Sequence, residues 1–209
     1  MKNLVLYAPP AAGKGTQCEL LKKNFRYNVL SIGQVLRDAR NPETKVGRAI
    51  IESQDKGILT PDNIVMDALK TELTKYVGEP IIIEGYPRNI EQAKLLDTIL
   101  DNYIVINLSI DRELAKKRAL GRVNCPKCNK IYNIYFSELT PKIEGKCDKC
   151  GSQLNIRSDD NEKSFNVRFD IYDNNSKEIL KYYDDKGILY VIDALSPESV
   201  YSKIKEIIE

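Results

Sequence analysis

Leu4-Val5-Leu6-Tyr7 runs straight into Ala8-Pro9-Pro10-Ala11-Ala12-Gly13-Lys14-Gly15-Thr16, and a helical stretch from Gln17 to Lys23 follows. This order constrains the chain more than any other feature. A buried strand, a loop of small residues and a helix together aim successive backbone N–H groups at one concavity. That concavity favours an anion, and Lys14 adds a mobile positive charge beside it. The spacing departs from the strict phosphate-loop pattern. Ala8 stands where the first glycine belongs, and Gly15 holds the Ser/Thr position with Thr16 one residue later. The plainer reading is a turn with an exposed lysine.

The rest of the chain alternates in the same style. Apolar, β-branched runs predict strands at 3–7, 28–30, 81–84, 104–108 and 188–192, with helices between them. Continuous apolar strands separated by helices predict an α/β fold, a parallel sheet covered on both faces. Thr60-Pro61-Asp62 predicts an N-cap with proline first in a helix to about Tyr76. Asn89 with Gln92 predicts a second helix, to about Leu100. Asp111 predicts a third to Leu120, with Gly121 past its end. A long helix over 160–185 stops at Gly187, and Ser196-Pro197 starts the last.

Two stretches interrupt the alternation and read as insertions into one core. Residues 31–59 are mostly helical, broken at Asn41-Pro42. Residues 123–160 are irregular and carry short strand candidates such as Lys130-Ile131-Tyr132. They also hold Cys125-Pro126-Lys127-Cys128 and Cys147-Asp148-Lys149-Cys150, two Cys-x-x-Cys pairs eighteen residues apart. This is the spacing of a four-thiolate Zn²⁺ site, closed and structural. Two disulfides are the alternative, against which stands the lack of a secretion signal. Cys18 lies outside the cluster and reads as packing.

Composition narrows the function classes. A chain of 209 residues, 42% hydrophobic and 30% charged, suits one soluble core. No apolar run is long enough for a membrane span, and the expected location is cytoplasmic. The net charge of +2, and six basic against five acidic residues over 123–160, argue against a nucleic-acid partner. Histidine is absent, which excludes Ser-His-Asp triads, His-activated cysteines and His-bearing zinc hydrolases. Chemistry here falls to Lys, Arg, carboxylates and metal. Arg37, Arg88, Arg118, Arg122, Arg157 and Arg168 lie where strands or insertions end, and a guanidinium fork suits phosphate oxygens.

Taken in order, Ala8–Gln17, Ser31-Ile32-Gly33-Gln34-Val35-Leu36-Arg37, Glu84-Gly85-Tyr86-Pro87-Arg88, Gly121-Arg122, the paired cysteine knuckles and Arg157-Ser158-Asp159-Asp160 resemble an adenylate kinase of the long, zinc-lid form. The resemblance covers essentially the whole chain. It implies a P-loop core of five parallel strands formed by 1–30, 60–122 and 161–209. Residues 31–59 become a helical monophosphate-binding insert and 123–160 a small zinc-bearing lid held by Cys125, Cys128, Cys147 and Cys150.

The resemblance also implies residue roles. Lys14, Arg88, Arg122, Arg157 and Arg168 would be catalytic. ATP would be held by Ala11, Ala12, Gly13, Lys14, Gly15 and Thr16, with Arg118, Arg122, Ile131 and Tyr132. AMP would be held by Ser31, Ile32, Arg37, Gly85, Arg88, Gln92, Arg157 and Arg168. Glu84 would hold Mg²⁺ through water. An Asn-x-x-Gln capping box explains Gln92 equally well.

Several positions depart from the family pattern. Ala8 and Ala11 replace loop glycines, at about 1 kcal/mol or more where φ is positive. Ile32 replaces a threonine, Gln34 an acidic residue, Glu84 an aspartate and Ala194 a glycine. The implied reaction is MgATP plus AMP giving two ADP, by a monomer in nucleotide homeostasis. Three alternatives stand beside it: a kinase for UMP, CMP or GMP, a nucleotide-binding pseudoenzyme, and a zinc-ribbon nucleic-acid binder.

Overall fold

A computed structural model describes residues 1–56, 58–157 and 160–209. Ser158 and Asp159 of the Arg157–Asp160 motif therefore lie outside the described residues. Strands β1 (Asn3–Tyr7), β2 (Asn28–Ser31), β3 (Ile81–Glu84), β4 (Tyr103–Ser109) and β7 (Leu189–Asp193) form one sheet in the order β2-β3-β1-β4-β7. Every pairing in it is parallel. The five predicted strands are all present, within one residue at either end.

The strands are apolar throughout because both faces are covered. Val5, Ile81, Ile83 and Val105 face one layer. That layer comprises α4 (Asp62–Leu73), α5 (Ile90–Leu96) and the C-terminal part of α7 (Glu162–Asp185), through Leu69, Ala93, Leu96, Ile179 and Tyr183. Leu4, Leu6, Ile82, Ile104 and Ile106 face the other, with Cys18 and Leu21 of α1 (Lys14–Phe25) and Val200 and Ile204 of α8 (Pro197–Ile208). The period of two along each strand sorts neighbouring residues into opposite layers.

The helix starts follow the capping signals with one exception. Asn89 accepts from Gln92 N, Asp111 from Glu113 N and Leu114 N, and Ser196 from Ser199 N. At α4 the cap is Pro61, without a side-chain bond. The Thr60 hydroxyl instead pairs with the buried Ser53 Oγ at 3.0 Å. α5 ends at Leu96, earlier than expected. A short 3-10 turn over Thr74–Tyr76 closes the α4 segment.

Both insertions appear where the alternation breaks. Residues 31–59 hold α2 (Ile32–Asp38) and α3 (Lys45–Asp55), with Pro42 between them. α6 (Arg112–Leu120) leads to β5 (Arg122–Asn124), which pairs antiparallel with β6 (Ile131–Asn133) at the base of the cysteine segment. Among the described residues no helix is long and apolar enough to cross a membrane.

Candidate active site

In an open parallel sheet the loops beyond the carboxyl ends of the strands form the crevice. Here the loop after β1 is residues 8–13, the loop after β3 is residues 85–89, and α2 starts directly after β2. A cleft of about 420 Å³ opens between them, lined by Lys14, Arg37, Arg88 and Arg168 with Glu84.

The loop ends on Gly13 at φ 101°, the residue before α1. A Cβ there would meet nothing within 4 Å, so the glycine answers a backbone need. Ala11 also has a positive φ, 60°, and Ala8 does not appear among such residues. Lys14 Nζ donates to the Ala8 and Pro9 carbonyls at 2.8 and 3.0 Å. Burial pushes its pKa down to about 8, with Glu84 opposing the shift and Arg168 and Arg88 adding to it. Ala12 is buried in the core behind the loop. A Cβ at Gly15 would lie 3.6 Å from Ile131 Cδ1, so β6 reaches over the phosphate loop.

Arg37 and Arg88 meet above Gly33. A Cβ at Gly33 would lie 3.4 Å from Arg37 Nη1 and 4.0 Å from Arg88 Nη2. Arg37 Nη2 donates to Gln34 Oε1 at 2.8 Å and Arg88 Nε to the Gly85 carbonyl at 3.0 Å. Gln34, where an acidic residue was expected, thus still supplies an acceptor. Gly85 has φ 83° and brings its backbone close to Gly33. Burial alone would push the Glu84 carboxyl up. Lys14, the Ser31 hydroxyl, Arg88 and Arg37 outweigh it and hold the carboxyl below its usual range. Ser31 Oγ donates to Glu84 Oε2 at 2.6 Å, across the register pair of β2 and β3.

Behind Arg88 a small pocket is lined by Ile32, Leu36, Val65 and Gln92. The Gln92 side chain does not return to Asn89 as a capping box requires. Its Oε1 accepts from Arg88 N at 2.8 Å and its Nε2 donates to Asp62 Oδ1 at 2.6 Å.

Three expected residues lie elsewhere. Arg118 donates to the Leu195 carbonyl at 3.0 Å. Arg122 makes a two-pronged pair with Asp160, whose side chain is 1% exposed. Arg157 lies between Cys150 and Asp160, and none of the three lines the cleft. Tyr132 lies on the other face of β6 from the cleft. It is buried in the cysteine segment, its hydroxyl donating to Cys147 Sγ at 3.4 Å and accepting from Asp148 N at 2.7 Å. β6 alternates, so Ile131 faces the phosphate loop and Tyr132 the cysteines. Arg40, Asp55 and Tyr172 line the cleft without having been singled out. Arg40 lies three residues beyond Arg37, just past the end of α2.

The four sulfurs of Cys125, Cys128, Cys147 and Cys150 lie within 4.8 Å of one another, and none forms a disulfide. Two of the separations are 3.4 and 3.5 Å. Zn–S bonds of about 2.3 Å at tetrahedral angles place sulfurs about 3.8 Å apart. Both knuckles end in a left-handed residue, Asn129 at φ 59° and Gly151 at φ 72°. The donor set and its shape fit Zn²⁺.

A small-residue loop before a helix, at the end of the central strand and facing converging cations, defines a P-loop phosphotransferase. The comparisons narrow the class. The family model described as adenylate kinase matches residues 6–188. The chain is 36% identical to an adenylate kinase of Archaeoglobus fulgidus over 99% of its own length and 98% of the relative's. It is 39% identical to one of Caldanaerobacter subterraneus over 98% and 95%, and 38% to one of Desulforamulus reducens over 90% of both. The chain belongs to the adenylate kinase family, and with it to the enzymes that move phosphoryl groups between nucleotides.

Proposed function

We propose that the chain transfers the γ-phosphoryl group of MgATP to AMP, reversibly, giving two ADP. The observation that carries this reading is the convergence of Lys14, Arg37, Arg88 and Arg168 on one cleft beyond the carboxyl edge of the sheet. An oxygen of the AMP phosphate bonds to the γ-phosphorus while the bond from that phosphorus to the bridging oxygen breaks. The donor leaves as ADP, and the acceptor has become ADP. The attacking oxygen is already anionic, so the step needs no general base, consistent with a chain that has no histidine.

Catalysis is then positioning and charge neutralisation. Lys14 and the loop 8–16 hold the donor phosphates, with Gly13, Gly15 and Thr16 supplying backbone N–H groups. Arg37 and Arg88 hold the acceptor phosphate, and Ser31, Ile32, Gly85 and Gln92 its nucleoside. Arg168, with Arg122 and Arg157 brought in by residues 123–160, neutralises the transferring group, where one arginine is worth about 10³–10⁵ in rate. Arg118 and Ile131 cover the donor nucleoside. Glu84, an ionised carboxylate in the cleft wall, fits an Mg²⁺ held through water. That ion would neutralise charge on the β- and γ-oxygens. In this reading 31–59 is the acceptor insert and 123–160 a zinc-stapled lid that excludes water.

A panel of AMP, GMP, CMP, UMP and IMP with MgATP tests it. AMP should lead in kcat/KM by at least about tenfold, a margin one set of buried base contacts can supply. The apolar Ile32 beside the acceptor pocket favours the rival reading, in which another monophosphate leads. Turnover of none would leave a nucleotide-binding pseudoenzyme.

A further inference from the structure

We infer that Asp62 sets the acceptor-base selectivity by locking the Gln92 carboxamide in one orientation. The inference rests on the acceptor reading above and adds a positioning residue to it. Gln92 is 3% exposed and lines the small pocket behind Arg88. Its Oε1 accepts from Arg88 N and its Nε2 donates to Asp62 Oδ1. A backbone N–H can only donate and a carboxylate can only accept. Turning the carboxamide by half a rotation would set NH₂ against N–H and oxygen against carboxylate, two mismatches at a buried group.

The lock is itself held. Asn89 Nδ2 spans both Asp62 oxygens at 3.1 Å each, while Asn89 Oδ1 accepts from Gln92 N at 2.8 Å. The Tyr86 hydroxyl donates to the Gln92 carbonyl at 2.9 Å. Arg88 N and Asp62 thus fix the carboxamide itself, while Asn89 and Tyr86 hold Asp62 and the Gln92 backbone in place. Oε1 keeps a second lone pair and Nε2 a second hydrogen for a ligand.

This matters because a free carboxamide is an ambiguous reader. It offers an acceptor beside a donor. A 6-aminopurine presents N6–H beside the N1 acceptor, and a 6-oxopurine presents O6 beside N1–H. With the base placed by its phosphate on Arg37 and Arg88, one amide orientation matches the first pattern and the turned amide matches the second. A rotatable glutamine would take both. The locked one takes a single pattern, which the acceptor reading assigns to the 6-amino base.

AMP and IMP differ only at this edge, so they are the probes. The kcat/KM for each is measured with MgATP for the parent, Asp62→Asn and Asp62→Ala. Asparagine can donate to a turned amide, and alanine no longer opposes one. The AMP:IMP ratio should fall about tenfold or more in both variants, the scale on which an unpaired polar group discriminates, chiefly through a lower KM for IMP. Loss of folded enzyme lowers both rates equally and leaves the ratio untouched. Asp62→Glu keeps an acceptor-only group and should restore most of the discrimination. A parent that prefers AMP, with ratios within about threefold of it in both Asp62→Asn and Asp62→Ala, overturns the Asp62 assignment alone. A parent without preference for AMP overturns the acceptor reading itself.

Discussion

Lys14 holds its position by donating to two carbonyls of its own loop, and its charge is disfavoured by burial to the point that it titrates at about 8. In the proposed reaction the cation is the form that would hold phosphate, and it predominates below that pH. The kcat/KM for MgATP, which reports the free enzyme, should therefore fall as pH rises through about 8. The Lys14→Arg variant, whose guanidinium stays charged, should lack that falling limb. A pH–rate profile of parent and variant decides it, and a parent profile flat to about pH 9.5 would refute the assignment. Glu84, held below the usual carboxylate range, stays ionised across that window and contributes no limb. Ala11 shows what residue identity leaves open. The sequence marked Ala8 and Ala11 equally as replaced glycines, and the fold puts only Ala11 at positive φ, at a cost of about 1–2 kcal/mol. Its methyl packs against the cluster of Ala115, Ala119, Phe165 and Phe169, an offset no loop sequence reveals.

At the scale of elements the local signals were strong and their reasons sometimes different. Gly121 falls just past the end of α6, as its place in the chain predicts. Its φ is −88°, which any residue adopts, so conformation does not require glycine there. Space does, since a Cβ would lie 2.4 Å from Asn133 Oδ1 and 2.5 Å from Tyr135 Cδ2. Asn133 cannot yield freely, because its Nδ2 donates to the Arg118 carbonyl and its Oδ1 accepts from Tyr135 N. The Gly121→Ala variant should lose about 1–3 kcal/mol and melt several degrees lower, about 2–4 °C per kcal/mol for a chain of this size. An unchanged melting temperature would show that β6 moves aside without cost. Tyr132 and Gln92 carry the same lesson. Each belongs to an element that was foreseen, and each side chain found a partner remote in the chain, the Cys147 sulfur and the Asp62 carboxylate.

For the whole molecule the decisive contrast is between a sheet that stands on its own core and a cysteine segment that does not. Among the described residues its buried hydrophobic cluster is two cysteines, Tyr132 and Leu154, too little to offset the ordering of nearly forty residues. Zn²⁺ held by the four cysteines would supply the difference, at about 10–16 kcal/mol apparent. Treating the purified protein with a thiol-reactive mercurial should release one Zn²⁺ per chain, lower the melting temperature and raise proteolysis within 123–160. Confirmed release with no change in either would remove the structural role of the metal. Arg122 and Asp160, at the two ends of that segment, are joined by a nearly buried ion pair, so loosening should begin inside the pair and leave the sheet intact.

The strands, the caps of α5, α6 and α8, the phosphate loop and the cysteine spacing were readable in the chain because each depends on neighbours a few residues apart. A period of two, an Asp or Ser before a helix, and Cys-x-x-Cys are local geometry written as composition. The cleft is not local. Lys14, Arg37, Arg88 and Arg168 meet because the strand order β2-β3-β1-β4-β7 sets the ends of β2 and β3 beside β1 and α7 crosses the same edge. Which atom each side chain then touches, Gln92 on Asp62 or Ser31 on Glu84, follows from packing between distant segments, where a shift of one ångström changes the partner and no pattern along the chain records it.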